Sequence, residues 1–133
     1  MTRRLALTTL IVPDYEEALA HYTTALRFEL IEDTRLSPTK RWVVVAPNRD
    51  GQGGALLLAQ AANDEQRAMI GRQGAGRVWL FLHTDDLDAD IAHLQAHGVR
   101  LLETPRSESY GRVVVFEDRY GNRWDLIEPA SGA

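Results

Sequence analysis

The side chains able to do chemistry in this sequence are carboxylates, imidazoles and guanidiniums. It holds no cysteine, which excludes thiol nucleophiles, thiolate metal sites and disulfides. Asp125 is the sharpest candidate. It stands in FEDRYGNRWDLIEP, residues 116–129, where a turn around Tyr120-Gly121-Asn122 separates two strand-like runs. A carboxylate in so apolar a strand must be hydrogen-bonded, paired or open to water, because burying it alone is costly. Three roles stay open. Asp125 pairs with Arg123 (two residues away on the same strand face), Arg41 or Arg112. Or it recognises a cationic or hydroxylated ligand. Or it acts as a general base, which requires burial to raise its pKa toward neutrality.

The other polar groups are weaker signals. His83 lies four residues past Trp79, about 13 Å along an extended strand. It reads as a hydrogen-bonded histidine near the next helix cap, or as a base. His93 and His97 have the i, i+4 spacing that can chelate a metal on a helix, but no third ligand or glutamate motif accompanies them. His97, just before Gly98, suits the negative end of a helix dipole. Glu103 and Arg112 flank RSESYG, residues 106–111, within which Tyr110 could present its hydroxyl or pack as a turn aromatic. There is no P-loop, dinucleotide-binding glycine fingerprint or nucleophile elbow.

Alternating strands and helices must position these groups. LALTTLIV (5–12) reads as a strand. Asp14 caps a helix to Leu26, with Tyr15, Ala18, Leu19, Tyr22 and Leu26 on one stripe. Strands follow at about 28–35, 41–46 and 54–60. The order then repeats: strand 78–84, a helix from Asp85 or Asp86 stopped at Gly98, and strands at about 99–104, 111–117 and 123–128. LTTLIVPDYEEALAHY overlays WLFLHTDDLDADIAHL at a spacing of 72 residues, Leu7 to Trp79. The expected class is therefore α+β: one domain over 1–133 built from two βαβββ modules, about 4–60 and 77–129. The modules form a curved mixed sheet around a cleft, with the helices outside. Residues 63–76, with a short helix capped by Asn63 or Asp64, read as a surface connector or as a flap over that cleft.

Composition narrows the function. With 133 residues, 44% hydrophobic content and a net charge of -4 that is not clustered, the chain suits a globular fold and not nucleic acid or an anionic membrane as partner. No apolar run reaches the ~18 residues a membrane span needs, and the N-terminal stretch does not read as a signal peptide. A cytoplasmic protein is expected.

The paired modules, VPDYEEALAHYTTALRFEL near the start and FEDRYGNRWDLIEP near the end together resemble the vicinal oxygen chelate superfamily of glyoxalases, bleomycin-resistance proteins and extradiol dioxygenases. The resemblance covers nearly the whole chain. RWVVVAP (41–47) and LFLHTDDLDADI (80–91) suggest a bacterial branch. Enzymes of that superfamily usually take metal ligands, commonly His, Gln or Glu, from the first and fourth strands of each half. The matching positions here are Leu7, Leu58, Trp79 and Asp125, of which only Asp125 can be a ligand. The resemblance therefore implies the fold, while the residues imply no metal and no other cofactor. Arg27 stands where the family often has glycine; a left-handed backbone there would cost an arginine about 1 kcal/mol.

Strand alternation carried from the ligand positions places Thr9 and Leu58 in the cleft with Trp79, Phe81, His83, Arg123 and Asp125. Trp42 and Tyr110 are added at its edge. This is an apolar, aromatic chamber with few polar groups, as small-molecule sites usually are. Trp79 and Phe81 either wall it or fill it as core. The expected function is metal-independent small-molecule binding by a homodimer, since superfamily members often complete their clefts by pairing. The alternatives are a lyase, isomerase or dioxygenase using an unanticipated metal or Asp125 acid-base chemistry, and a dimeric scaffold whose cleft has collapsed.

Overall fold

The computed structural model of the chain describes residues 1–50 and 52–131. It divides into two compact units, Met1–Ile70 and one that begins at Gly71. The first holds β1 (Leu7–Val12), α1 (Tyr15–Ala20), β2 (Glu29–Arg35), β3 (Arg41–Ala46), β4 (Ala55–Gln60) and α2 (Asp64–Ala68). The second holds β5 (Val78–His83), α3 (Leu87–Ala96), β6 (Arg100–Leu101), β7 (Arg106–Glu108), β8 (Gly111–Glu117) and β9 (Arg123–Pro129). The sheet orders are β1-β4-β3-β2 and β5-β9-β8-β6, with β7 also on β8. In each unit the first strand lies parallel to the last and the remaining pairs are antiparallel. The fold is α+β with two mixed sheets, and the strand order repeats as the sequence repeat does.

Local chemistry explains the element boundaries. Asp14 accepts from Glu17 N at 2.8 Å, Asn63 from Gln66 N at 2.8 Å and Asp86 from Ala89 N at 3.0 Å. Each satisfies one of the amides a helix start leaves bare. Gly98, at φ 74°, closes α3. The helix expected to reach Leu26 instead widens into a π turn, His21–Ala25. Thr23 Oγ1 donates to Leu19 O at 2.7 Å, competing for a carbonyl that the regular ladder uses, and such back-bonding distorts helices. Arg27 takes the left-handed conformation, φ 58°, as its place in the turn required.

Each helix covers one face of its sheet. In the first unit Leu10, Val43, Val45, Leu56 and Leu58 are buried with Ala18 and Tyr22 of the helical segment. Arg41 ties that side together: it pairs with Glu16 of α1 and, at 2.6 Å, with Asp33 of β2, and lies 5.2 Å over the Tyr15 ring. In the second unit Val114, Phe116, Trp124 and Leu126 share the α3 side with Leu87 and Leu94. Arg112 reaches Asp88 of α3 at 3.0 Å, and Leu87 N donates to Glu128 at 2.9 Å.

Two expectations are corrected. The strand expected over 99–104 ends at Leu101, and 106–108, expected as loop, is the short strand β7. Pro105 separates them, because it has no amide to donate to a ladder. Residues 71–76, the end of the 63–76 connector, are hydrogen-bonded within the second unit. Gln73 N donates to Asn122 Oδ1 at 3.0 Å, and Arg123 Nη1 donates to Gly76 O at 2.9 Å. Asn122 is itself held by two bonds of 2.9 Å to the buried Asp118. A Cβ on Gly71 would fall 1.8 Å from Tyr120 O, so the connector and the YGN turn touch backbone to backbone.

Candidate functional site

Strand register decides which predicted residues share a face. On the second sheet Phe81 pairs with Asp125 and His83 with Ile127 on one side, while Val115 and Val113 face the same two residues from β8. All point to the side away from α3. Arg106 of β7 joins them opposite Val113. Phe81 is 63% exposed and His83 is exposed, whereas Asp125, Ile127 and Val113 are buried. The result is an apolar floor with one carboxyl in it, beside an exposed aromatic ring.

Asp125 has none of the three guanidinium partners anticipated for it. Arg123 is spent on Gly76 O, Arg112 on Asp88, and Arg41 on Asp33 and Glu16. Asp125 Oδ1 is buried and, among the described residues, has no hydrogen-bond partner. Burial pushes its carboxyl pKa up; the charge of Arg106 draws it back and that of Glu103 adds to the rise. Arg106 is itself committed. It bonds the Tyr110 hydroxyl, Glu103 at 2.8 Å and Glu108 at 3.0 Å, which hold its guanidinium firmly charged. Tyr110 is half-exposed at the β7–β8 turn. Sequence reasoning missed Arg106; the signal that would have found it is the alternation in RSE between Pro105 and the SYG turn.

Two predicted site residues face elsewhere. Trp79 is the extra residue of a β-bulge between Val78 and Leu80. A bulge breaks the inward–outward alternation, and Trp79 packs edge-on against Trp124 at 5.5 Å, on the other side from Phe81. Leu58 is 1% exposed and pairs with Leu10 and Val43 on the α1 side. Its assumed facing was off by one residue, which in a strand inverts the face; Leu57 holds the place instead. Thr9 opposes Leu57 on the side away from α1, and Trp42, two residues from Val44, lies on that same side of the first sheet.

The residues at the superfamily's metal positions do not fit a divalent cation. Leu7, Leu58 and Trp79 carry no donor for a hard ion, and two of them face the helix side or a neighbouring indole. Among the described residues no three His, Asp or Glu side chains come together as a metal site. What this face can offer is a desolvated carboxyl, an aromatic edge and aliphatic surface.

Known proteins resemble the chain over nearly its whole length. A protein of Shewanella frigidimarina (strain NCIMB 400) is 46% identical over 129 residues, 96% of this chain and 95% of that one. Among solved structures, UcmS2 is 27% identical with a TM-score of 0.80, over 96% of this chain and 99% of its own. TnmS3, an antibiotic binding protein from Streptomyces sp. CB03234, is 30% identical with a TM-score of 0.74, over 97% and 98%. The family model of the Glyoxalase/Bleomycin resistance protein/Dioxygenase superfamily matches residues 4–126, and the chain belongs to that superfamily.

Proposed function

We propose that this protein binds a small amphipathic molecule without a metal, using the side of the second sheet away from α3. The observation that carries this reading is Asp125, a carboxyl buried in apolar surroundings with one oxygen left without a partner. A buried unpartnered polar group is a standing cost, of about 1–3 kcal/mol, and a ligand donor aimed at Oδ1 relieves it. Phe81 supplies stacking surface, Ile127 and Val113 the floor, and His83 a polar rim. Arg106, already bonded to two carboxylates and a phenol, has little to offer an anion, so the ligand is a cation or a neutral donor such as a hydroxylated ring. TnmS3 supports a binding role, being an antibiotic binding protein 30% identical to this chain. Trp42, Val44 and Leu57 give the first sheet an apolar side too, with Thr9 beside Leu57. We expect the protein to act as a homodimer in the cytoplasm.

The test is a calorimetric screen of cationic, hydroxylated and anionic drug-like compounds. Phe81→Ala should weaken hits by about 1–2 kcal/mol. Asp125→Asn, which keeps the shape, should weaken cations selectively. Hits that bind both variants like wild type, or no compound binding better than about millimolar, would remove the proposal. One observation favours a second reading: burial moves Asp125 in the direction a general base needs. A ligand converted by wild type and merely bound by Asp125→Asn, read by mass spectrometry, would establish catalysis.

A further inference from the structure

Three departures from regular backbone meet at one place in the first unit, on other elements than the Asp125 face. The π turn His21–Ala25 carries Thr23, Arg27 sits at φ 58°, and β2 bulges between Leu30 and Glu32. π turns, strained non-glycine residues and bulges each concentrate at functional sites. Here they border a single depression of about 620 Å³, largely open to solvent. That volume is in the range of small-molecule sites, roughly 300–1,000 Å³.

The lining has two parts. Leu19, Phe28 and Leu30 form an apolar wall, Arg27 and Arg49 bring two guanidiniums, and Thr23 and Glu29 complete the lining, Glu29 being its one carboxylate among the described residues. Arg49 Nη2 pairs with Glu29 at 2.8 Å, but a guanidinium carries five N–H donors, so one such bond does not exhaust it. The depression is thus net positive on a chain of charge -4. Glycine would satisfy the backbone at residue 27 without strain; the chain instead holds an arginine there, at the edge of the cavity.

We infer that this depression is a second binding site, for an amphipathic organic anion. A carboxylate head lies between Arg27 and Arg49, where the planar guanidinium fork matches its two oxygens, and a short aliphatic or aromatic tail covers Leu19, Phe28 and Leu30.

Octanoate is the probe, with octanol and octylammonium as controls of matched tail, titrated into the full chain by calorimetry and by amide chemical shifts. Octanoate should shift amides of His21–Leu30 and bind at about millimolar concentration or better, the controls far more weakly. Arg49→Gln, at an exposed side chain, and Arg27→Gly, which keeps the backbone, should each weaken octanoate by about tenfold, the scale of a lost charge-assisted pair. Glu29→Gln should strengthen it, and Asp125→Asn should leave it unchanged. The proposal fails if octanol binds as well as octanoate, or if both arginine variants bind like wild type. It also fails if the shifted amides are those of β5 and β9. A failure of the Asp125 reading leaves every one of these outcomes readable.

Discussion

Asp125 is held in a state that costs the fold something. Burial raises its pKa above the ordinary aspartate value near 3.8, so the folded protein prefers the protonated carboxyl more than the unfolded chain does. Below that value both states are protonated and nothing is lost. As pH rises through it the unfolded chain ionises freely, and stability falls until the folded carboxyl titrates too. Asp125→Asn escapes this loss. Its denaturation midpoint should match wild type in acid and exceed it at neutral pH, by the order of 1 kcal/mol expected for a buried unsatisfied group. A variant less stable than wild type at pH 7 would mean the carboxylate has a partner that stabilises it. At this scale the sequence was half legible. An acid in an apolar strand announces itself, but the neighbours of Asp125 depend on β7, which Pro105 disguised as loop.

Elements were most legible where punctuation is local. Asp14 and Gly98 act through a bond or a dihedral within a few residues, so their roles could be read directly, and the caps of α2 and α3 were narrowed to adjacent pairs, Asn63 or Asp64 and Asp85 or Asp86. The errors came where one residue shifts a pattern. The Trp79 bulge and the inverted facing of Leu58 are both slips of a single position, and neither leaves a mark in composition. The connector joined to the 118–122 turn gives an element-scale prediction. Gly71→Ala places a Cβ into Tyr120 O at a positive φ of 77°, where no side-chain rotation can relieve it. It should cost more than about 2 kcal/mol and raise amide exchange at residues 72–76. Gly53→Ala, equally left-handed but with nothing within 4 Å, is the control and should cost only the backbone strain, about 1 kcal/mol.

At the scale of the whole molecule, Leu7 (41% exposed) and Phe81 (63% exposed) are large apolar residues that face away from their units' helices. Isologous pairing is the commonest way small proteins cover such surface, and light scattering at micromolar concentration should return twice the mass of the 14.9 kDa chain. A monomer mass would remove the homodimer from the proposed function. The parallel pairings reach further. Leu7 meets Ala55, 48 residues along the chain, and Val78 meets Arg123, 45 residues along. The antiparallel pairs β2–β3 and β8–β9 close over short turns instead. Loop-closure entropy should therefore order assembly, hairpins first, with β1 and β5 docking last onto β4 and β9. Until then ALLLAQ and RWDLIEP are unpaired edges, the kind that recruit other chains. Pulse-labelled refolding should protect the amides of β8 and β9 before those of β5, and refolding yield should fall as chain concentration rises.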